Sequence, residues 1–193
     1  MTNATPAYDG GAIVNQCREA ARTRLSAQLP SLLTSIANRL NKESQSSQDR
    51  EERDQYAHAA QRLRGGQDGF VEAFQKELVA RIDTATQVLQ SGRLGNGDDE
   101  DLSMLKTNLL ENQVAVNKLA VQLKQAAGAE LAQFSGRIAA AFSRGVLDDG
   151  DNPVGPMAIA FAVYAGVDAL DLKSRAARAI RPDFEKQFVA PVC

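Results

Sequence analysis

The amino-acid sequence predicts an all-α fold, a helical bundle of about five to seven helices with long amphipathic helices and a buried Ala-rich helix near the C-terminus. Aromatic residues make up 5% of the 193 residues and Trp is absent, so the core must consist mostly of Leu, Ala, Val and Ile, a mixture that favours helices. Apolar residues also recur every three or four positions. We expect residues 1–12 to be disordered and residues 13–193 to form a single helical domain, with a subdivision near 91–101 as an alternative.

The first predicted helix runs from Ile13 to Asn41. Pro30 lies inside it, and because proline removes a backbone donor and clashes with the preceding turn, we expect a kink or break near Gln28–Ser31. Ser31 would then cap a second helical piece. The polar stretch 41–55 that follows is predicted to be a loop or the start of a solvated helix. The apolar stripe of the helix comprises Ile13, Cys17, Ala21, Leu25, Leu29, Leu33, Ile36 and Leu40.

The second amphipathic stretch extends from Tyr56 to Leu89. Glycines at 65, 66 and 69 interrupt it, and glycine in a helix interior is less favourable than alanine by about 1 kcal/mol. We therefore expect either one long helix with a weak point at "RGGQDG" or two helices that meet there. The apolar positions are Tyr56, Leu63, Phe70, Phe74, Leu78, Ile82 and Leu89.

A turn-rich stretch, "SGRLGNGDDED", separates this part from the next one. Leucine and valine then follow helical spacing from Leu102 to Leu123, and the pattern resumes with a shifted phase from Leu131 to Phe142. The shift falls at Ala126–Glu130, which indicates one long helix with an offset or two helices in sequence. Gly145 is the predicted C-terminal stop.

Two prolines precede the most apolar run in the sequence, in "LDDGDNPVGPMAIAF". Pro153 forces an extended residue before it, whereas Pro156 suits the first position of a helix, where its missing N–H would be unpaired anyway. The following helix, Met157 to Leu170, is apolar on nearly every side. It is too short for a membrane span, which needs about 20 apolar residues, so we predict a central buried helix. A last helix is interrupted at Pro182 and carries a final apolar pair, Phe184 and Phe188.

Bulk composition argues against several classes of function. The net charge is −2, with 22 basic and 24 acidic residues, whereas nucleic-acid binders usually carry a basic surplus. The two cysteines, Cys17 and Cys193, are too few for a disulfide scaffold or a zinc site. The N-terminus has no apolar region typical of a signal peptide, so we expect a cytoplasmic protein.

The sequence predicts no catalytic residue, no cofactor site and no metal site. The single histidine, His58, lies in a helical stretch, and the motifs HExxH, GxSxG and CxxC are absent. The acidic stretch "LDDGDN" could offer carboxylates to calcium, but it lacks the EF-hand pattern and is better interpreted as a solvated turn. "GRLGNG" is followed by acids and preceded by no strand, which favours a linker over a phosphate loop.

A stripe of basic residues marks the last predicted helix. It comprises Lys173, Arg175, Arg178 and Arg181, and the last two share one face. The stripe is either a solvated helix face or a contact for an acidic partner, an anionic nucleotide or nucleic acid. These are the only partner-contact or anion-contact residues that we predict.

Two stretches resemble a bacterial family of uncharacterised proteins, domain of unknown function 1631. "LLENQVAVNKLA", Leu109 to Ala120, resembles the family's Leu-Glu-x-x-Val-Ala stretch that opens a long helix. Leu147 to Ile180 resembles its Asn-Pro-(Leu/Val)-x-Pro turn, followed by a helix that contains Ala-Phe and then by a basic helix. The sequence departs from the family at Pro182. The resemblance implies the N-terminal part of a longer protein or a short relative, and it brings no catalytic residues.

Three functions remain open at this point. The first is a non-enzymatic helical scaffold or regulatory module that binds a protein partner or forms a homo-oligomer. The alternative is a sensor that binds an anionic small ligand or nucleotide through the basic stripe, in second-messenger signalling. The third, an enzyme with a site assembled from distant residues, has the least support in the sequence.

Overall fold

The fold is described from a computed structural model of the chain. It describes residues 9–91, 107–147 and 151–172 and positions 180, 182, 184–186 and 189, including their side chains except at 107–112. All regular structure in these residues is helical, which confirms the predicted all-α bundle, and no helix among them is long and apolar enough to cross a membrane. The helices are α1 (Gly10–Ser46), α2 (Arg50–Gly65), α3 (Gln67–Ser91), α4 (Thr107–Ala141) and α5 (Pro156–Ala169).

Helix α1 is longer than predicted and is not broken. The Asp9 carboxylate caps it by accepting from the backbone N–H groups of Gly11 and Ala12 at 3.0 and 3.3 Å, so residues 10–12 are helical rather than disordered. The helix continues through Pro30, and the predicted break at this position is wrong. Ser31 caps no second piece, because its hydroxyl donates to the Gln28 carbonyl at 2.8 Å. Leu29 and Leu33 are fully buried on either side of the proline, and this packing holds the helix together across it.

A short connection turns α1 back into α2. The Asp49 carboxylate caps α2 by accepting from the Glu51 N–H at 2.9 Å, and the Ser44 hydroxyl of α1 donates to the Arg53 carbonyl at 2.9 Å. The two helices pack closely against each other. The predicted polar stretch 41–55 is therefore shared between the end of α1, a three-residue connection and the start of α2.

Helices α2 and α3 meet at Gly66, which confirms the two-helix alternative for this stretch. A Cβ at this position would lie 2.7 Å from the Leu170 Cδ2 and 2.9 Å from the Arg62 carbonyl oxygen. Only glycine leaves room here for the end of α5. Arg62 also reaches α5, because its Nε donates to the Leu170 carbonyl at 2.9 Å.

Helix α4 changes direction where the apolar phase shifts. Gly128 has non-helical backbone angles, φ 9° and ψ −96°, inside an otherwise continuous helix, so the predicted offset has a structural cause. The helix ends at Ala141, and the residue with left-handed backbone angles just beyond it is Ser143, with φ 54°. The prediction that Gly145 terminates this helix is therefore wrong.

Helix α5 is the buried Ala-rich helix that the sequence predicts. Gly155 precedes it and Pro156 occupies its first position, as expected for a residue without an N–H. No residue from 156 to 167 is exposed, and exposure begins only at Asp168. The helix packs mainly against α3 and also against α4.

Close packing in the core surrounds Gly166 of α5. A Cβ there would lie 2.8 Å from the Phe70 ring of α3. Phe70 in turn stacks on Phe184 with a centroid distance of 5.5 Å and an interplanar angle of 3°. One glycine thus allows the α3–α5 contact on which the described part of the C-terminal segment rests. The largest fully buried side chains are Leu29, Leu33, Ile36, Leu40, Leu63, Phe70, Phe74, Leu78, Ile82, Leu119, Ile138 and Phe184.

Candidate functional site

The basic stripe predicted from the sequence, Lys173, Arg175, Arg178 and Arg181, lies outside the residues that the structure describes. The same is true of the glycine-rich stretch 92–97 and of Phe188 and Cys193. For these positions the interpretations from the sequence stay predictions.

The turn at residues 151–155 before α5 is anchored to α4, whereas Asp148 and Asp149 of the acidic stretch lie outside the described residues. Its buried residue Asn152 accepts from the Val154 N–H at 3.1 Å and donates through Nδ2 to the Ser135 hydroxyl at 2.9 Å. The side chain of Asn152 therefore shapes the turn and ties it to a neighbouring helix. In the ranges that the structure describes, no group of three or more His, Cys, Asp or Glu side chains could hold a metal ion.

Cysteine and histidine side chains often serve in nucleophilic and acid–base catalysis, and one of each lies in the described helices. His58 is exposed on α2, and Cys17 is half-buried on α1. Burial raises the pKa of the Cys17 thiol. A raised pKa keeps this thiol protonated at neutral pH, and a protonated thiol is a poor nucleophile.

The first half of α4 exposes two valines among polar side chains, on a surface that we call the valine face: Val114 and Val121 with Asn117, Lys118 and Gln125 around them. Val114 is 69% exposed and Val121 is 52% exposed. They are seven positions apart, so they lie two turns apart on the same side of the helix. The opposite side is buried and includes Val116, Leu119 and Leu123.

Lysines are the charged residues among the described side chains of the valine face. Between positions 113 and 129 the charged residues are Lys118 and Lys124, and both are exposed. The Lys118 ammonium lies 2.7 Å from the Glu185 carboxylate of the C-terminal segment. Glu185 is nearly buried, and this contact both offsets the charge of Lys118 and holds the lysine at the edge of the face.

Small residues line a different side of α4 beyond Gly128. They form a groove of about 420 Å³ with the chain at 145–147 and include Gly128, Ala132, Ser135, Gly136 and Ala139. Val146 at its rim is 85% exposed. Among the described residues that line this groove there is no buried polar side chain without a partner and no cluster of charged side chains.

A third surface, which we call the Arg81 groove, lies between α3 and the start of α5 and has a volume of about 410 Å³. The Arg81 guanidinium lies over the Phe161 ring, 3.7 Å from its centroid, and its Nε donates to the Glu77 carboxylate at 2.7 Å. Asp151 of the anchored turn also lines the groove. The groove is lined chiefly by Arg81, Ala85, Val88, Pro153, Met157 and Phe161.

The sequence patterns predict these surfaces only in part. The helical period from Leu109 to Leu123 leaves Val114 and Val121 out of the predicted core, and that omission was the available signal for the valine face. No pattern connects Arg81 to Phe161, because 80 positions separate them and only the packing of α3 on α5 brings them together.

Comparison with known proteins gives one match. The family model described as "Protein of unknown function (DUF1631) N-terminal domain" matches residues 9–192, nearly the whole chain. No curated protein and no solved structure matches significantly. The family match confirms the resemblance to this family, which rests on the Asn-Pro-x-x-Pro turn and on the long helix before it.

Proposed function

This chain belongs to the DUF1631 family as its N-terminal domain, and we propose that it is a non-enzymatic helical module that binds a partner protein through the valine face of α4. The observation that carries the proposal is the exposure of Val114 and Val121, 69% and 52%, on one side of a long helix. Exposed apolar side chains that are grouped on one face are typical of protein interaction sites. We place the module in the cytoplasm, because its two cysteines suit a reducing compartment.

The form of the valine face favours a helix or extended segment as the element that docks there. Its two valines lie seven residues apart, and the apolar side chains of a partner helix can pack between them. The backbone below them is regular helix up to Gly128, and the buried side of this half of α4 is held in the core by Leu119 and Leu123. A rigid, preformed face reduces the entropy that is lost on binding.

The charge of the face favours a different protein over a second copy of this chain. Lysines are the charged side chains described between 113 and 129, and one of them, Lys118, already pairs with Glu185, so charge disfavours a face-to-face contact of two copies only weakly. A partner with acidic residues beside apolar anchors would meet complementary charge. Self-association through this face remains the second outcome that an experiment must distinguish.

Photo-crosslinking in cells of the source species tests the proposal. A photoreactive phenylalanine analogue is placed at Val121 in one strain and at Glu72, an exposed residue of α3, in a matched control strain. We expect a discrete adduct from position 121 and none of that mass from position 72. An adduct with twice the mass of the chain would identify self-association, and a mass unrelated to the chain would identify a different partner.

Paired substitutions make the test specific for the chemistry of the face. Val114→Asp with Val121→Asp should abolish the adduct formed by a neighbouring probe at Asn117, whereas Val114→Lys with Val121→Lys should retain more of it if the partner is acidic. Val146→Asp, at an 85% exposed position on another side, serves as the control and should leave the adduct unchanged. Equal adducts in all variants would contradict the proposal.

The sensor alternative is supported by the sequence alone. Its residues, Lys173, Arg175, Arg178 and Arg181, lie outside the described part of the chain, so no contact or distance favours it. Calorimetry with anionic nucleotides on the wild-type chain and on Arg178→Ala with Arg181→Ala separates the two functions, because the valine face predicts no heat from such ligands.

A further inference from the structure

A pocket adjoins the valine face where α4 meets the described positions of the C-terminal segment. Its volume is about 630 Å³, within the range of sites that hold a small molecule or a large side chain. We propose that this pocket, which we call the Gln122 pocket, receives a tryptophan side chain of the partner protein that docks on the valine face. The identity of that partner rests on the proposed function. The pocket is lined chiefly by Gln122, Gln125, Ala126, Pro182, Glu185 and Val189.

The Gln122 pocket and the valine face share an edge of α4. Lys118, Gln122 and Ala126 recur every four residues, so they form one row along the helix. Lys118 belongs to the valine face, and the next two residues of the row line the pocket. Gln125 belongs to both surfaces and follows Val121 by about one helical turn. A partner helix that packs on Val121 can therefore reach the pocket with a neighbouring side chain.

The wall that the C-terminal segment contributes is fastened to the bundle. Phe184 is fully buried, and its ring stacks on Phe70 with a centroid distance of 5.5 Å. The next residue, Glu185, is paired with the Lys118 ammonium at 2.7 Å, and its side chain is only 10% exposed. The first contact holds the segment in the core, and the second ties it to the valine face. The two parts of the proposed site thus keep a fixed relation, which reduces the entropy lost when one partner occupies both.

The lining of the pocket favours a neutral side chain with a large apolar body. Ala126, Pro182 and Val189 provide carbon surface, and an apolar ring packed against them removes this surface from water. The charged residues of the lining, Glu185 and Lys186, have opposite signs. Charge therefore selects neither an acidic nor a basic occupant, and apolar area and hydrogen bonding decide.

Gln122 adds a requirement for a hydrogen-bond donor. Its Oε1 atom is covered by the protein and accepts no hydrogen bond from the described residues, which is unfavourable for an amide oxygen. Rotation about the last side-chain bond can turn this oxygen into the pocket. The indole of tryptophan supplies an apolar ring system and one N–H donor, and tryptophan is enriched among the residues that dominate binding at protein interfaces. The chain contains no tryptophan, so a second copy of these 193 residues does not supply this occupant.

The lack of tryptophan in the chain also makes binding measurable through the fluorescence of the ligand. N-acetyl-tryptophanamide, a neutral probe, is titrated with the purified chain, and the anisotropy of its indole emission reports the bound fraction. We expect saturable binding, with a dissociation constant about fivefold higher for the analogue methylated at the indole nitrogen, because that analogue lacks the donor. Gln122→Leu should reduce the difference between the two probes to less than about twofold.

A matched pair of alanine substitutions locates the bound probe. Ala126→Leu fills the pocket and should abolish binding, whereas Ala140→Leu, at an exposed position of α4 outside the pocket, should leave it unchanged. No change of anisotropy at the highest chain concentration, equal affinity for the two probes, or unchanged binding in Ala126→Leu would each overturn the proposal.

Photo-crosslinking in cells tests whether one partner occupies both surfaces. The photoreactive analogue is placed at Lys186, an exposed residue of the pocket lining, in one strain and at Val121 in another. We expect adducts of the same mass from both positions. An adduct from Val121 without one of that mass from Lys186 would overturn this inference and leave the valine face as the docking site. No adduct from either position would contradict the proposed function, and with it the partner that this inference requires.

Discussion

Helices α5 and α4 are both apolar, yet they use their apolar residues differently. In α5 no residue from 156 to 167 is exposed, and small residues such as Gly166 allow neighbouring helices to approach closely. In α4 the side with Val116 and Leu119 is buried, while Val114 and Val121 on the other side are in contact with solvent. Helix α5 buries its apolar surface in the core, whereas α4 leaves part of its apolar surface exposed to solvent.

This difference shows that burial on every side restricts the size of the residues in a helix as well as their polarity. A helix enclosed on every side needs small residues where neighbours approach, and Gly166 against Phe70 is such a place. A helix with one solvent-exposed side needs no small residue on that side, and a Cβ added at Gly136 of α4 would have nothing within 4 Å.

The largest effect is expected from Phe70→Ala. Phe70 is fully buried against Gly166 and stacks on Phe184, so its loss leaves a cavity and removes the contact that holds the C-terminal segment. We expect the free energy of unfolding to fall by about 3 to 5 kcal/mol. Val114→Ala on the open side should change it by less than about 0.5 kcal/mol. Urea unfolding followed by circular dichroism measures both, and a similar loss in the two variants would remove the distinction.

Two glycine-to-alanine substitutions should have opposite signs. Gly166→Ala places a Cβ 2.8 Å from the Phe70 ring and must displace it, which costs about 1 to 3 kcal/mol in a close-packed core. Gly136→Ala meets nothing within 4 Å and should stabilise α4 by up to about 1 kcal/mol through helix propensity. Thermal unfolding midpoints of the two variants give the signs directly. If Gly166→Ala were as stable as the wild type, α5 would have more room than described.

Arg62→Met tests the fastening of α5 at its C-terminal end. The Arg62 Nε donates to the Leu170 carbonyl at 2.9 Å, whereas its contact with Asp171, at 3.9 Å and on an exposed side chain, adds little. We expect a loss of about 1 kcal/mol, the usual contribution of one hydrogen bond. Arg24→Met on the exposed surface of α1 is the control and should leave the unfolding curve unchanged. A loss of the same size in both variants would mean that charge, rather than this bond, is responsible.

The smallest effect is expected at Cys17, a half-buried residue of α1. Burial raises the pKa of this thiol, so its thiolate forms at higher pH in the folded chain than in an unfolded one. In a Cys193→Ser background, alkylation by iodoacetamide should be slower than for a short cysteine peptide at pH 8, and its pH profile should be displaced upward. Urea should restore the rate of the peptide. Equal rates in the folded and unfolded chain would show that Cys17 is not covered.

Local rules predicted the parts of the fold that depend on local chemistry. Pro156 at the first position of α5 and the change of direction at Gly128 were both predictable, because a missing N–H and a phase shift are visible in the sequence. Of the kink or break expected at Pro30, the break does not occur, since the packing of Leu29 and Leu33 favours a continuous helix there. The Arg81 groove was beyond prediction, because Arg81 and Phe161 meet only through the packing of α3 on α5.

The central claim, that the open side of α4 is covered by a partner protein in the cell, is tested most directly by cysteine labelling at two positions. Val121→Cys and, separately, Glu72→Cys are introduced in a Cys17→Ser, Cys193→Ser background, and each is labelled with a membrane-permeant maleimide in the purified chain and in intact cells. We predict that both cysteines react fast in the purified chain and that in cells the cysteine at 121 becomes much slower than the one at 72. An unchanged ratio of the two rates between purified protein and cells would contradict the account.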